Sequence, residues 1–410
     1  MSLLEIRLAW RSLGRNPRRT GLTVAATTFS VILVVCMIGL SNGSHEHMIE
    51  DGVRMASGHL SLMAPQHLEE RTLEQPLDWT PEIRRTLDST SGIAGFTPRL
   101  DSFALVSQAE ATQGMLIRGT DPTSEDDVSE IKKRVVEGRF LSGGGNREIV
   151  LGQRGAETLD VAIGDEVLLY GIAYSLENAY ELFTVVGLFR FPDSRLERSL
   201  AFISLEDAQS FYVYSDKVTE VAILLEDSES ALAVQSALVA GLPENDLRVH
   251  PWQEVVPELD QYVTLDKWGM YLILVMLVVV VGFGILNTVL MTVLERKREF
   301  GVLLALGLRP AQVFRIVYLE SIFLAVVGIL IGLIIAIPIV LYFQAHPIPL
   351  EGSMAQALLE FNMEPVITWK LRASNPIGSS LVMLGVAILA ALYPAIKASR
   401  GQPIDVVQNV

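Results

Sequence analysis

The chain has few of the residues that staple or catalyse. One cysteine, Cys36, stands among 410 residues, so no internal disulfide can form and cysteine usage is silent on redox compartment. Histidine is scarce as well, with six in all. His45 and His47 flank Glu46, and His59 and His67 follow downstream. Histidines two apart point to different faces of a helix, which makes a poor metal set, so solvated histidines near a membrane surface are expected and no metal site. No GxxxxGK[ST] phosphate loop occurs in the chain, and no nucleophile elbow or Ser/His/Asp set. Nothing resembles a nucleic-acid surface. The expectation is a non-catalytic chain that holds no cofactor of its own.

Charge is missing in blocks. Four runs carry no Asp, Glu, Lys or Arg: Thr20–Asn42, Met270–Leu294, Ser321–Ala345 and Asn375–Ile396. Each is long enough to cross a bilayer as a helix, which takes roughly 20 residues. The first is too long for a signal-peptide core, and no A-x-A-like site follows it, so an uncleaved anchor is expected.

Positive charge is confined. Met1–Arg19, Glu295–Glu320 and the tail with Lys397 and Arg400 hold 12 of the 32 Lys/Arg but five of the 47 Asp/Glu, a balance of +7 against −22 for the rest. Basic segments stay in the cytoplasm. Both termini are therefore expected on the cytoplasmic side of the membrane, with a large acidic domain on the outer side.

These boundaries follow: cytoplasmic helix 1–19, span 20–42, periplasmic domain 43–267, span 268–294, cytoplasmic helix 295–312, span 313–345, outer loop 346–374, span 375–396 and tail 397–410. Residues 3–16 read as an amphipathic helix, with Leu3, Ile6, Trp10 and Leu13 on one face and Arg7, Arg11 and Arg15 on another. Such a helix lies among lipid headgroups; plain topology-setting charge is the other reading. Between spans one and two, residues 58–64, 166–171, 182–189 and 218–225 read as strands. Ser204 is placed to cap a helix over 204–211, and 228–239 has helical spacing. The fold class expected is an α-helical membrane protein with four transmembrane helices plus a large α+β extracytoplasmic domain between spans 1 and 2, with "SGGGN" (142–146) as a loop between two lobes. Leu141–Gly145, "LSGGG", nearly spells an ATP-cassette signature loop, but it falls in that domain and lacks the phosphate loop.

The segment "LERKREFGVLLALGLRPAQ" (294–312) uses about twenty residues where a basic turn needs about four. Its charged start, Glu295, Arg296, Lys297, Arg298 and Glu299, can ion-pair with another protein, and Gly301 and Gly307 allow close approach or a sharp turn. Pro310 then fits the first turn of the next span. With "VFRIVYLES" following, this stretch resembles the hallmark of the FtsX-like permeases, the membrane subunits of mechanotransmission-type ABC transporters. Glu295, Arg296, Glu299, Gly301, Ala305, Gly307, Gln312 and Glu320 match the family pattern, while Leu304 stands where many members carry arginine. Tyr393, Pro394, Ala395, Ala398 and Pro403 match its closing stretch, and "AWRSLGRNPRRTGLT" resembles its start.

The resemblance implies a dimer: this chain with a second permease copy or paralogue, on two copies of a separate ABC ATPase that binds ATP and Mg. It implies ATPase coupling through residues 295–312, with Leu303 among the contacts and Glu320 as an intramembrane charge. The layout and "GHLSLMAP" after span one are most similar to the lipoprotein-releasing (Lol-type) members; MacB-type efflux members carry an ATPase on the same chain. Lipoprotein release to a periplasmic carrier is expected, with Met48, Ile49, Val53 and Met55 as candidate substrate-facing residues. Export with a periplasmic adaptor, or signalling to an outer hydrolase or sensor kinase, are the alternatives.

Overall fold

The computed structural model describes residues 17–69, 72–191, 194–242, 247–353, 355 and 366–400. The amphipathic segment with Arg7, Trp10, Arg11 and Arg15, and the tail beyond Arg400, lie outside the described residues. Two compact units divide the chain: a helical one, and an α+β one built from Met48–Val263 and Leu350–Pro365.

The long helices are α1 (Pro17–Ala56), α2 (Pro257–Glu295), α3 (Lys297–Ala305), α4 (Pro310–Ala345) and α5 (Ser374–Ser399). Among the described residues α1, α2, α4 and α5 are long and apolar enough to cross a membrane. Three of them, α1, α2 and α4, outrun their uncharged cores. α1 runs on past Asn42 because no proline interrupts 18–64, and Gly58, at φ +69°, ends it. There the Ser57 and Gly58 N–H groups donate to the Val53 carbonyl, a glycine stop at a helix C-terminus. α1 meets α4 on a glycine stripe. A Cβ added to Gly328 would come within 2.7 Å of Thr27, and one on Gly332 within 2.7 Å of Val31. The Thr28 hydroxyl donates to the Gly328 carbonyl at 3.1 Å. Small residues four apart let helix backbones approach closely in lipid, where no hydrophobic drive holds helices together.

The α+β unit contains β1 (Leu60–Met63), β2 (Leu77–Asp78), β3 (Ile93–Gln108), β4 (Ala111–Thr120), β5 (Val135–Gly138), β6 (Glu148–Gly152), β7 (Glu166–Ile172), β8 (Asn178–Phe189), β9 (Leu200–Ser204), β10 (Lys217–Val218), β11 (Glu220–Leu225) and β12 (Arg248–Pro251). Pairing runs β12-β1-β11-β3-β4-β9-β6-β8-β5, and β7 joins β3 to β8. The pairings β3-β4-β9-β6-β8-β7 therefore close a six-membered ring. Every strand of that ring sends alternate residues into one core: Ala104 and Val106, Met115 and Ile117, Ile149 and Leu151, Val167 and Leu169, Phe183 and Val185, Ala201 and Ile203. That is the period-two inward face of a small barrel, filled by its own side chains.

The first half of β3 leaves the ring. It pairs with β11, and with β1 and β12 forms a wing whose core includes Leu60, Leu62, Val221, Ile223 and helix residues Ile83, Leu87, Val234 and Leu238. Two lobes thus share one long strand. The expected joint at 142–146 is corrected: this loop connects β5 and β6, which both pair with β8. Leu141 is buried in a core beside Phe140 and Phe202, and Ser142 donates to Glu148 through its N–H and hydroxyl. The "LSGGG" motif is a structural corner. Only two of the ring's six strands, β7 and β8, were readable as strand from sequence; β3, β4, β6 and β9 were not. In the connection between α4 and α5, the expected outer loop, Ile348–Pro349 pairs with Val366–Ile367 as a short ladder.

Where the lobes share β3, the buried face is charged. Arg99 is fully buried, and its guanidinium donates to both Glu125 oxygens, at 2.9 and 2.6 Å, and to Glu220 at 3.4 Å. Two residues on, Asp101 takes Nε and Nη2 of Arg118 at 3.0 and 2.6 Å. Burial pushes the Glu125 and Asp101 carboxyls up, and the guanidiniums beside them outweigh it and hold both low.

At the barrel corner, hydrogen bonding from Arg139, against opposing burial and with help from Ser142, holds Glu148 at about 2 rather than 4.5. A carboxyl depressed on folding contributes stability that is full above about pH 4.5 and lost as pH falls towards about 2. Glu148→Gln should therefore melt earlier than the parent at pH 7, with the gap narrowing at pH 3. Melting of the detergent-solubilised chain across that range checks this. A gap equal at both pH values would mean that the carboxylate charge contributes nothing.

Candidate functional site

The site is the α2–α3–α4 corner. Helical hydrogen bonding runs through the join of α2 and α3: the Arg296 N–H donates to the Thr292 carbonyl at 3.3 Å and the Phe300 N–H to the Arg296 carbonyl at 3.1 Å. α3 is thus an extension of the second span. Its end is fixed by Gly307, at φ +94°. The Leu308 N–H reaches the Leu303 carbonyl at 3.2 Å and the Gly307 N–H the Leu304 carbonyl at 3.1 Å, the paired bonds of a left-handed glycine cap. Pro310 opens α4, and the Gln312 side-chain oxygen accepts from the Arg309 N–H at 2.9 Å. Gln312, expected as a coupling residue, serves here as an N-terminal cap.

Two faces of α3 differ. Phe300 and Gly301 are buried, and Phe300 packs with Val293, Val313, Val317, Ala395 and Ala398, with Leu303 and Leu304 at the edge. The hallmark segment and the closing Tyr-Pro-Ala stretch therefore meet in one apolar cluster. On the other face Glu295, Lys297, Arg298, Glu299, Val302, Ala305 and Leu306 are exposed, Leu306 at 75%.

Arg296 sits at the join. Its Nε donates to Glu299 at 2.9 Å, and its Nη1 to the two Glu320 oxygens at 3.2 and 2.9 Å. The guanidinium lies 5.0 Å over the Phe300 ring. Glu320, flagged from sequence as an intramembrane charge, is buried at the head of the uncharged run. The sequence named neither its partner nor Phe300, although an acid beside a span calls for a nearby cation, and the basic cluster offers one. Thr23, Thr292, Arg296, Phe300, Glu320 and Ser321 line a small crevice there.

The candidate substrate-facing residues separate. Met48 and Ile49 are partly buried and Val53 is completely buried, while the Met55 side chain lies outside the described residues. The histidines are also not solvated as expected. His45, His59 and His67 are all buried. The His45 ring bridges Ser41 (3.3 Å) and Asp266 (2.6 Å), tying α1 to α2, and the Leu225 N–H donates to His59 Nδ1 at 3.1 Å. No cluster of three metal-ligating side chains occurs among the described residues.

The corner and the strand ring are features that comparison with known proteins can place. The family model of the FtsX-like permease C-terminal region matches residues 271–403, and that of the MacB-like periplasmic core domain matches 20–240. The chain belongs to this family of FtsX-like, MacB-like ABC permeases. It is 24% identical to the lipoprotein-releasing system transmembrane protein LolC of Neisseria meningitidis, over 95% of this chain and 94% of that one. It is 25% identical to LolE of Haemophilus influenzae, over 98% of both chains. It is 23% identical to the macrolide export ATP-binding/permease protein MacB of Nitrobacter winogradskyi, over 97% of this chain and 59% of that one. The chain is a multi-pass membrane subunit of an ABC transporter, a class that works with an ABC ATPase.

Gly307 gives the site a direct test. A β-branched residue at φ +94° is strained by about 1–3 kcal/mol, whereas asparagine tolerates left-handed backbone. Gly307→Val should lower the melting temperature of the purified chain and Gly307→Asn should stay near the parent. Nothing lies within 4 Å of a Cβ placed there, so crowding is not a factor, and equal loss in both would show that the left-handed backbone does not govern the position.

Proposed function

We propose that this chain is the permease subunit of a mechanotransmission-type ABC transporter that extracts lipoproteins from the inner membrane and passes them to a periplasmic carrier. The observation that carries the reading is correspondence along 94% and 98% of two lipoprotein-releasing relatives. ATP and Mg bind two copies of a separate ATPase subunit, which grips the exposed face of α3 at Lys297, Arg298, Val302, Ala305 and Leu306. A second permease copy or paralogue completes the complex, and hydrolysis tilts the spans and so moves the α+β domains. Met48 and Ile49, where α1 continues beyond its apolar core, are the residues proposed to meet acylated cargo. Val53 is left out because it is fully buried.

Orientation is set by the basic bias, with both termini and α3 in the cytoplasm and the α+β domain in the periplasm. Cysteines at Ser142 and Ser230, in a Cys36-free chain, should react with a membrane-impermeant thiol reagent in whole cells, and one at Gln402 should not. Labelling at Gln402 alone reverses the orientation.

Cargo is tested by depletion. Outer-membrane lipoproteins should accumulate in the inner membrane. The MacB-like core domain favours export as the second reading. Normal lipoprotein sorting together with new sensitivity to macrolides would establish that reading and overturn the first.

A further inference from the structure

We propose that Arg296 is the positioning residue that makes the third span follow α3, by dividing one guanidinium between Glu299 on α3 and Glu320 in α4. This rests on the reading of α3 as the ATPase contact. The two bonds leave different nitrogens, Nε towards Glu299 and Nη1 towards Glu320, so the planar fork holds both acids at once. They are not equivalent. The Glu299 side chain is 42% exposed and that of Glu320 is 4% exposed.

An exposed pair is weak and easily exchanged, whereas parting a buried pair strands a desolvated charge. A partner that moves α3 or draws on Glu299 therefore works on the exposed bond, and the buried bond carries Glu320, and α4 with it. Phe300 fixes the other side of the guanidinium, its ring buried between the ends of α2, α4 and α5. The crevice beside the pair is bordered by Thr23 of α1, so displacement of the pair also reaches the first span.

A purely structural pair makes a different prediction. A buried ion pair that only holds helices together is replaceable by apolar residues of similar size. In the complex purified with its ATPase, a fluorescent probe at Glu110→Cys in a Cys36→Ser chain reads ATP-driven change in the α+β domain. Arg296→Met and Glu320→Leu should each lower the melting temperature, and the double variant should recover it. The double variant should still co-purify with the ATPase yet lose the ATP-driven signal. Arg296→Lys, which keeps the charge but not the fork, should melt like the parent and lose at least half the signal. A parent-like signal in either the double variant or Arg296→Lys overturns the proposal. Val302→Asp with Leu306→Asp separates the underlying reading: retained co-purification there removes α3 as the ATPase contact, whatever Arg296 does.

Discussion

A carboxylate at the head of a membrane helix persists only with a cation against it, and the α2–α3–α4 corner is built around that requirement. Glu320 is buried where α4 begins its uncharged run, and the cation that meets it, Arg296, is supplied from the join of α2 and α3. Leaving such a charge unpaired is costly enough that the two helix ends are held in one register. The rest of the corner fits this. Helical hydrogen bonds continue from α2 into α3, the glycine cap at Gly307 turns the chain back, and Pro310 with Gln312 starts α4 at once. Few backbone freedoms remain between Thr292 and Gln312.

The same device occurs in the α+β unit for a different purpose. Arg99 lies on β3 where that strand passes from the wing to the ring, and it binds Glu125 from the helix above and Glu220 from β11. A buried triad contributes little net stability compared with apolar packing, but it penalises register slips, because a one-residue shift of β3 would turn Arg99 and Asp101 into the face that holds Leu100, Ala104 and Val106. The charged face therefore fixes how a strand common to two cores is threaded.

Legibility in the sequence followed signal length. Four uncharged runs were readable because lipid demands about twenty apolar residues and soluble cores do not. Strands β7, β8 and β11 were readable from β-branched and aromatic density, as was the Ser204 cap, whose hydroxyl accepts from the Asp207 N–H at 3.0 Å. β3 was not, since Arg99, Asp101 and Ser102 break its apolar alternation for reasons that exist only once Glu125 and Arg118 are beside it. The same limit hid the partner of Glu320, which is 24 positions from Arg296 in the chain. The histidines misled because two-residue spacing rules out a shared metal but does not imply solvent: His45 is buried by Ser41 on its own helix and Asp266 on another.

Motif spacing at the corner follows from these contacts. Glu299 stands one turn beyond Arg296, so its carboxylate reaches Nε; Phe300 stands four beyond, so its ring lies under the guanidinium. Gly301 falls on the buried face beside Phe300, while Val302, Ala305 and Leu306 fall on the exposed one. Gly307 is glycine because its backbone is left-handed, and Gln312 sits at the third position of α4 because only there does its oxygen reach the Arg309 N–H. Of the residues matched to the family pattern, Arg296, Gly301, Gly307, Gln312 and Glu320 thus turn inward or shape the backbone. The intervening positions Lys297, Arg298, Val302 and Leu306 are exposed, so they can vary without disturbing the packing of the corner.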